Sequence, residues 1–505
     1  MQSAPEFDPF RRIYEAGQPQ VVWTTLVADL ETPVSAMLKL TDGRPNSFLF
    51  ESVQGGATRG RYSFIGLKPD LIWRCRNGKA EINRRARLDS GKFEPCSEPA
   101  LQSLRALVKE CRMETPSSLP PMVAGLFGYL GYDMVRQMER LPSKNKDVLG
   151  VPESILLRPT VISIFDNVED LVTVVTPVWP RKDLSARAAY EQACERLGEI
   201  VDDFDRNLPH QRDGLSDLDG LPEPTANMSR EAFHAMVLKA KEYIYAGDIF
   251  QAVLSQRFSL PFKLPPLSLY RALRRVNPSP FLFHLDLDGF SIVGSSPEIL
   301  VRLREGQVTI RPIAGTRRRG ATPQEDQSLS RDLLSDPKEL AEHLMLLDLG
   351  RNDVGRVAKI GSVKVTQRNE IEYYSHVMHI VSNVEGDIRP GLDAIAALAA
   401  GFPAGTVSGA PKVRAMEIID ELESERRGVY AGAIGYFAAS GAMDTCIALR
   451  TAVVKDGTMY VQAGGGIVAD STAQGEYQEC VQKARALVRA AQEAVRFAAD
   501  KGRNR

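Results

Sequence analysis

Two acidic residues and a histidine share one face of a predicted helix over residues 336–348. Asp336 suits the N-cap position and Pro337 the first helical position, which is a typical helix start. At 100° per residue, Glu339, Glu342 and His343 fall on the same side, and leucines occupy most of the remaining surface. Buried carboxylates require a cation, a proton or an ion-pair partner. The helix therefore predicts either a metal or acid/base site or a partly solvated ion-pair face, and periodicity alone does not decide between them.

A second pair of carboxylates, Glu476 and Glu479, lies near the start of the last predicted helix. The apolar stripe of that helix faces away from Glu479, and Lys483 follows one turn later, so an exposed Glu479–Lys483 ion pair is the simpler interpretation. Just before this helix, three consecutive glycines at 464–466 follow a predicted strand. Their backbone N–H groups could bind a carboxylate or phosphate, although a tight bend is the alternative. The spacing matches neither a Rossmann fingerprint nor a P-loop.

Two further segments carry groups that suit an anion. Arg450 lies in an apolar predicted strand, where a guanidinium needs a carboxylate from the protein or from a ligand. Thr406 lies in the glycine-punctuated segment 403–412, whose hydroxyls and N–H groups could face an anion at the start of a helix. A simple connection into the helix is the alternative. Arg317 to Arg319 are predicted to form a solvated loop.

The composition limits the classes of function. The chain has 505 residues, of which 43% are hydrophobic and 25% charged, as is typical of a soluble globular enzyme. A net charge of -1 argues against a nucleic acid or an anionic membrane surface as the main partner. The six cysteines form no C-x-x-C pair, so any bound cation should be a hard one held by oxygen. No long apolar run or secretory signal occurs, and we expect the protein in the cytoplasm.

The elements that must position these residues mix helices with mainly antiparallel strands, which predicts an α+β fold. Residues 20–180 are rich in strand patterns, and a helix is predicted over 182–206. A stretch over 207–227 collects proline, glycine and aspartate and is interpreted as a linker between domains at 1–206 and 228–505. Ser229 then caps a helix to about Ala246. Further strands are predicted over 249–260, 281–287, 290–294, 299–304 and 307–313, and a last helix over 474–499.

Seven segments resemble, in order, the motifs of the chorismate-utilising enzymes. They are 294–298, 311–317, 339–343, 351–353, 403–412, 430–436 and 464–471, and the resemblance spans about 228–488. Within that family the chain is similar to the large subunit, component I, of the anthranilate synthases. Segments 50–52 and 60–66 resemble the amino-terminal domain of that subunit. The resemblance implies mainly antiparallel sheets in a two-layer, sandwich-like core with helices packed outside.

The resemblance also implies a reaction and a set of roles. Chorismate and ammonia would give anthranilate and pyruvate with the help of Mg²⁺. The implied metal ligands are Glu342 and Glu479, with Glu339 and Glu476 acting through bound waters, and His343 is left with a structural role. The implied substrate-binding residues are Thr406, Tyr430, Arg450, Gly464, Gly465 and Gly466. The implied catalytic residues are Glu298 as general acid, His379 in pyruvate elimination, and, in the same set, Gln251 and Thr316.

Two positions distinguish the subgroups of the family. Where this chain has Gln251, isochorismate and salicylate synthases carry a lysine that activates water. Where it has Ala314, aminodeoxychorismate synthases carry a lysine that attacks the ring. Glutamine and alanine can do neither, so an anthranilate synthase is favoured. The alternatives are an aminodeoxychorismate synthase component I, a salicylate or isochorismate synthase and, more remotely, a non-catalytic chorismate or tryptophan sensor.

Regulation and partners are implied in the same way. Feedback inhibition by L-tryptophan would use a pocket built from Glu51, Ser52, Asn277, Pro278, Ser279, Pro280 and Phe281. An Asn-Pro turn that packs two sheets together is the structural alternative. No cysteine has a glutaminase context, so the glutamine amidotransferase is expected to be a separate subunit. Neither a nucleic acid nor a membrane is expected as a partner.

Overall fold

The computed structural model of the chain describes residues 2–54, 58–208, 221–374 and 377–499. Within these ranges the helices are α1 (Phe7–Glu15), α2 (Pro33–Thr41), α3 (Ala100–Glu110), α4 (Ala186–Phe204), α5 (Arg230–Tyr245), α6 (Pro266–Val276), α7 (Pro323–Ser335), α8 (Pro337–Val357), α9 (Ala394–Gly401), α10 (Lys412–Leu422) and α11 (Ala473–Ala499). The strands of the first half are β1 (Gln20–Val27), β2 (Ser47–Gln54), β3 (Thr58–Arg76), β4 (Lys79–Asn83), β5 (Glu94–Pro95), β6 (Gly125–Leu130), β7 (Ser154–Asp166), β8 (Leu171–Val178) and β9 (Thr225–Ala226). Those of the second half are β10 (Gln251–Pro261), β11 (Phe281–Leu287), β12 (Phe290–Ser296), β13 (Ile299–Arg304), β14 (Gln307–Ile310), β15 (Ile313–Arg318), β16 (Lys364–Tyr373), β17 (Val377–Asp387), β18 (Gly409–Ala410), β19 (Ala433–Ala438), β20 (Met443–Ile447), β21 (Thr451–Lys455) and β22 (Thr458–Ile467).

The strands form two antiparallel arms that meet at the long strands β3 and β7. The first arm runs in the order β1, β8, β7, β3, β2, β11, β12, β21, β22, β10. The second arm leaves β7 through β6, β19, β20, β13 and β14 to β17, against which β15 and β16 also pair. Because β3 has 19 residues and β7 has 13, each is long enough to contribute one end to each arm.

The two arms pack face to face across a buried apolar cluster. Phe48 of β2 stacks on Phe127 of β6, with ring centroids 4.9 Å apart, and Phe64 of β3 meets Tyr436 of β19 edge to face at 5.8 Å. A second cluster joins α4, α6 and α11 to the outer face of the first arm. Each fully buried ring contributes about 2 kcal/mol through the apolar area that it removes from water. The predicted α+β fold, with two antiparallel layers and helices outside, is confirmed.

Strands from both halves of the chain alternate in these arms. Strand β2 pairs with β11, and β6 pairs with β19, so segments before 206 and after 228 share sheets. The division into domains at 1–206 and 228–505 stays a prediction, and residues 209–220 of the predicted linker lie outside the described residues. The helix predicted over 182–206 corresponds to α4, and Ser229 caps α5 by accepting the N–H of Ala232 at 3.2 Å.

The helix predicted to begin after Asp336 is α8. The Asp336 carboxylate accepts the N–H groups of Lys338 at 3.0 Å and Glu339 at 3.4 Å, which satisfies two donors of the first turn. Of the leucines that occupy most of the remaining surface of this helix, Leu344 is not shielded from water, because it is 47% exposed. Helix α8 packs only one side against β15, β17 and α9, so Leu344 faces outward.

Two findings concern the cysteines and the helices of the described chain. All six cysteines are free thiols. No helix within the described ranges combines the length and apolarity that a membrane crossing requires.

Candidate active site

Helices α8 and α11 bring the four predicted metal-site carboxylates into one region. Burial, together with the neighbouring carboxylates of Glu339 and Glu479, raises the pKa of Glu342. Burial also raises the pKa of Glu476, against the effect of a hydrogen bond from Ser471. One oxygen of Glu476, Oε2, is buried and has no hydrogen-bond partner among the described residues. Carboxylates that repel one another in a partly dry environment have the character of a cation site.

Basic side chains balance part of this negative charge. Lys483 Nζ lies 2.7 Å from Glu479 Oε1 and donates to the carbonyl oxygen of Gly464 at 2.9 Å. The ion pair predicted on the exposed face of α11 is therefore present. Arg317 Nη1 lies 3.0 Å from Glu339 Oε1. Within the described ranges, no three carboxylate, histidine or cysteine side chains converge as a ready-made metal site.

The predicted solvated loop at Arg317 to Arg319 is wrong at its first residues. Strand β15 extends to Arg318, and Arg317 also pairs with Asp332 and Asp336, each at 2.8 Å. Sequence reasoning missed the contact with Glu339, one of the predicted metal-site carboxylates, because three consecutive arginines resemble a solvated run. The signal that could have revealed it is the position of Arg317 one residue after Thr316 in a segment of strand character.

The three glycines of β22 allow its backbone to approach site side chains. A Cβ atom at Gly465 would lie 2.5 Å from Glu476 Oε2, and one at Gly466 would lie 1.9 Å from Gln251 Nε2. At Gly464 it would lie 2.9 Å from the hydroxyl oxygen of Tyr430. These glycines continue the strand and pair with β10, so the alternative of a tight bend is wrong. Their role is close approach, and they bring Gln251, Tyr430 and the carboxylates of α11 together.

Glu298 lies between β12 and β13 and is almost fully buried. Burial raises the pKa of Glu298 to about 8, while the nearby Thr406 hydroxyl and the N–H of Ile313 act in the opposite direction. The Thr406 hydroxyl lies near this carboxyl, and its oxygen is buried without a well-formed hydrogen bond to the described residues. A carboxyl group that keeps its proton at neutral pH is suited to general-acid chemistry.

His379 on β17 lies opposite Thr316 on β15. Its Nδ1 is 2.9 Å from the carbonyl oxygen of Gly315 and 3.0 Å from Thr316 Oγ1. Burial lowers the pKa of His379, which favours the neutral ring. Because a carbonyl oxygen can only accept, Nδ1 carries the proton and donates it to Gly315, and the lone pair remains on Nε2. Neutral His379 therefore has an unprotonated Nε2 that can accept a proton.

The sequence did not indicate the aromatic partner of His379. The Tyr374 ring lies 5.4 Å from the His379 ring in an edge-to-face arrangement. The Tyr374 hydroxyl donates to Glu372 Oε2 at 2.9 Å, and Arg311 pairs with the same carboxylate. These contacts join β16 to the segment before β15, and only the strand register brings them beside the histidine.

Arg450 carries a partly buried guanidinium without an ion-pair partner in the part of the chain that the structure describes. It follows β20 in a left-handed conformation, with φ of +47°, and burial lowers the pKa of its guanidinium. Of the two partners that the sequence allows, a carboxylate of the protein or of a ligand, the first is not found among the described residues. A partly buried cation without a protein partner is suited to an anionic ligand. His343, in contrast, is buried with its Nε2 2.7 Å from Ser382 Oγ, which is an internal contact.

The residues implied for tryptophan binding meet through the pairing of β2 with β11. Ser52 is opposite Phe281 in the register, and the turn formed by Asn277, Pro278, Ser279 and Pro280 leads into β11. A cavity of about 810 Å³ between the arms is lined by Glu51, Ser52, Pro280 and Phe281 and extends to Tyr374. Both oxygens of Glu51 accept hydrogen bonds from Arg274, at 2.6 and 2.9 Å. An ammonium group would have to share that carboxylate with Arg274.

The fold and the site together define a class of protein. A family model described as chorismate binding enzyme matches residues 50–489. The chain therefore belongs to the family of chorismate-binding enzymes.

Several relatives carry a more specific name. The chain is 61% identical to the anthranilate synthase component 1 of Cereibacter sphaeroides over 97% of this chain and 98% of the relative. It is 47% identical to the protein of the same name from Aquifex aeolicus, over 93% of this chain and 94% of the relative. The resemblance to the component I subgroup, predicted from the sequence motifs, is confirmed.

Solved structures agree with this assignment. The crystal structure of anthranilate synthase component I from Streptococcus pneumoniae matches with a TM-score of 0.74 and 36% identity, over 92% of this chain and 98% of that one. The menaquinone-specific isochorismate synthase of Escherichia coli matches with a TM-score of 0.69 over 96% of this chain and 98% of that one. At 18% identity, the latter shows a shared fold alone.

Proposed function

We propose that the protein is component I of an anthranilate synthase, a lyase that converts chorismate and ammonia into anthranilate and pyruvate. The observation that carries the proposal is the pair Gln251 and Ala314 in a site that also holds an acid and a base. The Gln251 side chain lies against Gly466, and Ala314 lies on β15 two residues from Thr316. Neither side chain can activate water or attack the ring. An external amine is therefore the nucleophile that this site suits.

In the first step ammonia forms a C–N bond to the ring while the bond to the ring hydroxyl breaks. Protonated Glu298 gives its proton to the departing oxygen, which leaves as water, and the new ammonium group then loses a proton. A pKa of about 8 for Glu298 supports this role because most of the carboxyl groups carry a proton at pH 7. Arg450 is suited to binding one carboxylate of the dianionic substrate.

In the second step the amino intermediate becomes aromatic. Nε2 of His379 takes a proton from the ring carbon that bears the new amino group, and the bond from the ring to the enolpyruvyl oxygen breaks. The enolpyruvate takes up a proton and leaves as pyruvate. The His379 ring is neutral, and its Nδ1–H forms a hydrogen bond to the carbonyl oxygen of Gly315. Both observations support transfer of the proton from the ring carbon to Nε2.

The carboxylates on α8 and α11 have the donor chemistry that Mg²⁺ prefers, namely oxygen ligands with room for waters. Glu342 and Glu479 would hold the ion, with Glu339 and Glu476 bonded to its waters. The unsatisfied Oε2 of Glu476 and the repulsion felt by Glu342 support this assignment. When bound, the metal would neutralise the ring carboxylate of the substrate.

Three further properties belong to the same proposal. A separate glutamine amidotransferase subunit would supply the ammonia. L-Tryptophan would inhibit the enzyme from the cavity beside Ser52 and Phe281, which is supported by the pairing of their strands. The protein would act in the cytoplasm, in the first step of tryptophan biosynthesis.

The proposed reaction is tested with purified protein, chorismate, ammonium and Mg²⁺. We expect anthranilate fluorescence and one equivalent of pyruvate. A 4-amino product without pyruvate would indicate an aminodeoxychorismate synthase, and isochorismate or salicylate would indicate a water-using relative. Binding of chorismate or tryptophan without turnover would indicate a sensor.

The metal assignment is tested by Glu342→Gln, with Asp348→Asn as the matched control on α8. Asp348 is exposed and pairs only with Arg351 among the described residues. We expect Glu342→Gln to lose both activity and Mg²⁺ binding measured by calorimetry, and Asp348→Asn to keep both. Unchanged Mg²⁺ binding by Glu342→Gln would show that the ion binds elsewhere.

A further inference from the structure

A buried ion pair between Arg427 and Glu423 lies behind the substrate-binding residues. The two residues are 2% and 4% exposed, and Arg427 donates to Glu423 from Nε at 2.9 Å and from Nη2 at 2.6 Å. Burial of an ion pair brings little net stability, because desolvation offsets most of the attraction. Stability alone therefore does not explain this ion pair, and the other contacts of the two side chains indicate its role.

Arg427 contacts three separate segments of the candidate site. Its Nη1 donates to the carbonyl oxygen of Val407 at 2.7 Å, immediately after Thr406. Its Nη2 donates to the carbonyl oxygen of Val253 at 2.6 Å, two residues after Gln251 on β10. Its guanidinium carbon also lies 5.5 Å from the ring centroid of Tyr430, within the range of a cation–π contact.

Glu423 extends the same network to β22, the strand that carries the three glycines. Its Oε1 accepts both the N–H and the hydroxyl of Ser255, each at 2.8 Å. Ser255 is directly opposite Gly464 in the pairing of β10 with β22. Gln462 on β22 donates to the Ser255 hydroxyl at 2.8 Å. The ion pair is thus linked to every element that carries Thr406, Tyr430 or the glycines.

We propose that Arg427 is a positioning residue that sets the spacing of the groups that bind the carboxylates of chorismate. This inference rests on the proposed function. Arg427 bonds to the carbonyl oxygens beside the site residues, and its planar guanidinium can address Glu423, Val407 and Val253 at once from one rigid fork. A lysine ammonium is a compact charge and cannot span the same set of acceptors.

The test is Arg427→Lys, measured by steady-state kinetics in chorismate at saturating ammonium and Mg²⁺. Misplaced binding groups weaken the substrate complex and the transition state alike, which raises KM and leaves kcat nearly unchanged. We expect KM for chorismate to rise roughly tenfold or more and kcat to change less than about threefold. A purely structural role would reduce the active fraction, so it would lower kcat and leave KM as in the wild type.

The matched control is Arg158→Lys. Arg158 is a largely buried arginine that makes two hydrogen bonds of 2.8 Å to Asp70 in the first half of the chain. We expect the KM of the Arg158→Lys variant for chorismate to stay within roughly twofold of the wild-type value, because the substitution is remote from the binding site. A tenfold rise in KM in the control as well would overturn the inference, because it would show that any buried arginine has this effect.

If Arg427→Lys does not fold, Glu423→Gln provides the measurement. Glutamine keeps an acceptor for Ser255 but loses the charge that orients Arg427, so KM for chorismate should rise while kcat changes less. An unchanged KM in whichever variant folds would overturn the inference. Failure of the proposed function is distinct, because the wild-type protein would then form no anthranilate.

Discussion

Replacing Glu298 by glutamine should make the protein more stable at neutral pH and inactive. The carboxyl group is almost fully buried, and burial raises the pKa of Glu298 to about 8 in the folded chain, compared with an ordinary value of 4.5. Between these two pH values the unfolded state releases the proton and the folded state keeps it. The stability of the wild-type protein therefore falls as the pH rises through this window. Glutamine resembles the protonated acid and does not titrate, so Glu298→Gln lacks this loss.

The magnitude follows from the width of the window. Each pH unit corresponds to about 1.4 kcal/mol, so the advantage of the variant should be near zero below pH 4.5, about 3 kcal/mol at pH 7 and about 5 kcal/mol above pH 8. The unfolding entropy is about 2.1 cal/mol/K per residue, so the free energy of unfolding of a chain of 505 residues falls by about 1 kcal/mol per degree near its Tm. The Tm of Glu298→Gln should therefore exceed that of the wild type by about 3 °C at pH 7.

The assay is thermal unfolding of both proteins from pH 4.5 to pH 8.5, with anthranilate formation measured in parallel. Glu423→Gln is the matched control, because Glu423 is equally buried but bonded to Arg427, and its loss should lower the Tm at pH 7. A Glu298→Gln variant that is less stable than the wild type at pH 8 would show that this carboxyl is not held protonated. The general-acid role would then lose its physical basis.

Three other substitutions test separate parts of the site. His379→Met should slow pyruvate release more than amination, so the amino intermediate should accumulate in product analysis; equal loss of both steps would contradict its role as the base. Gly465→Ala should lower kcat/KM for chorismate roughly tenfold or more, because its Cβ would lie 2.5 Å from Glu476 Oε2. The control is Gly355→Ala on α8, where the new Cβ would meet no atom within 4 Å, and this variant should keep full activity. An equal loss in both variants would refute the steric argument. Ser52→Phe should raise the tryptophan concentration needed for half inhibition and spare kcat, whereas unchanged inhibition would place the regulatory site elsewhere.

Local signals in the sequence were sufficient for several elements. The capping residues Asp336 and Ser229 predicted the starts of α8 and α5 because the cap depends only on neighbouring N–H groups. The alternating strands at 281–287 and 299–304 were predicted with their observed bounds. The exposure of Leu344 could not be predicted, since it depends on which side of α8 packs against β15 and β17.

The relation between distant carboxylates depended on tertiary structure. Periodicity placed Glu479 in an ion pair with Lys483, and that pair is present, yet the same carboxylate also raises the pKa of Glu342 on another helix. The two interpretations of the sequence are therefore compatible. The close contacts of Gly465 and Gly466 explain why a glycine run lies inside a strand, which composition alone could not distinguish from a bend.

The cavity between the two arms extends from the implied regulatory residues to neighbours of Glu298, the proposed acid, and His379, the proposed base. Its wall includes Ile299, which directly follows Glu298, and Tyr374, whose ring contacts His379. Its lining also includes Ser52. An occupant of this cavity would therefore contact neighbours of both the proposed acid and the proposed base, while the four predicted metal-site carboxylates lie outside its lining. Because packed interiors have little free space, an occupant that displaces these neighbouring side chains would alter the surroundings of both proposed groups.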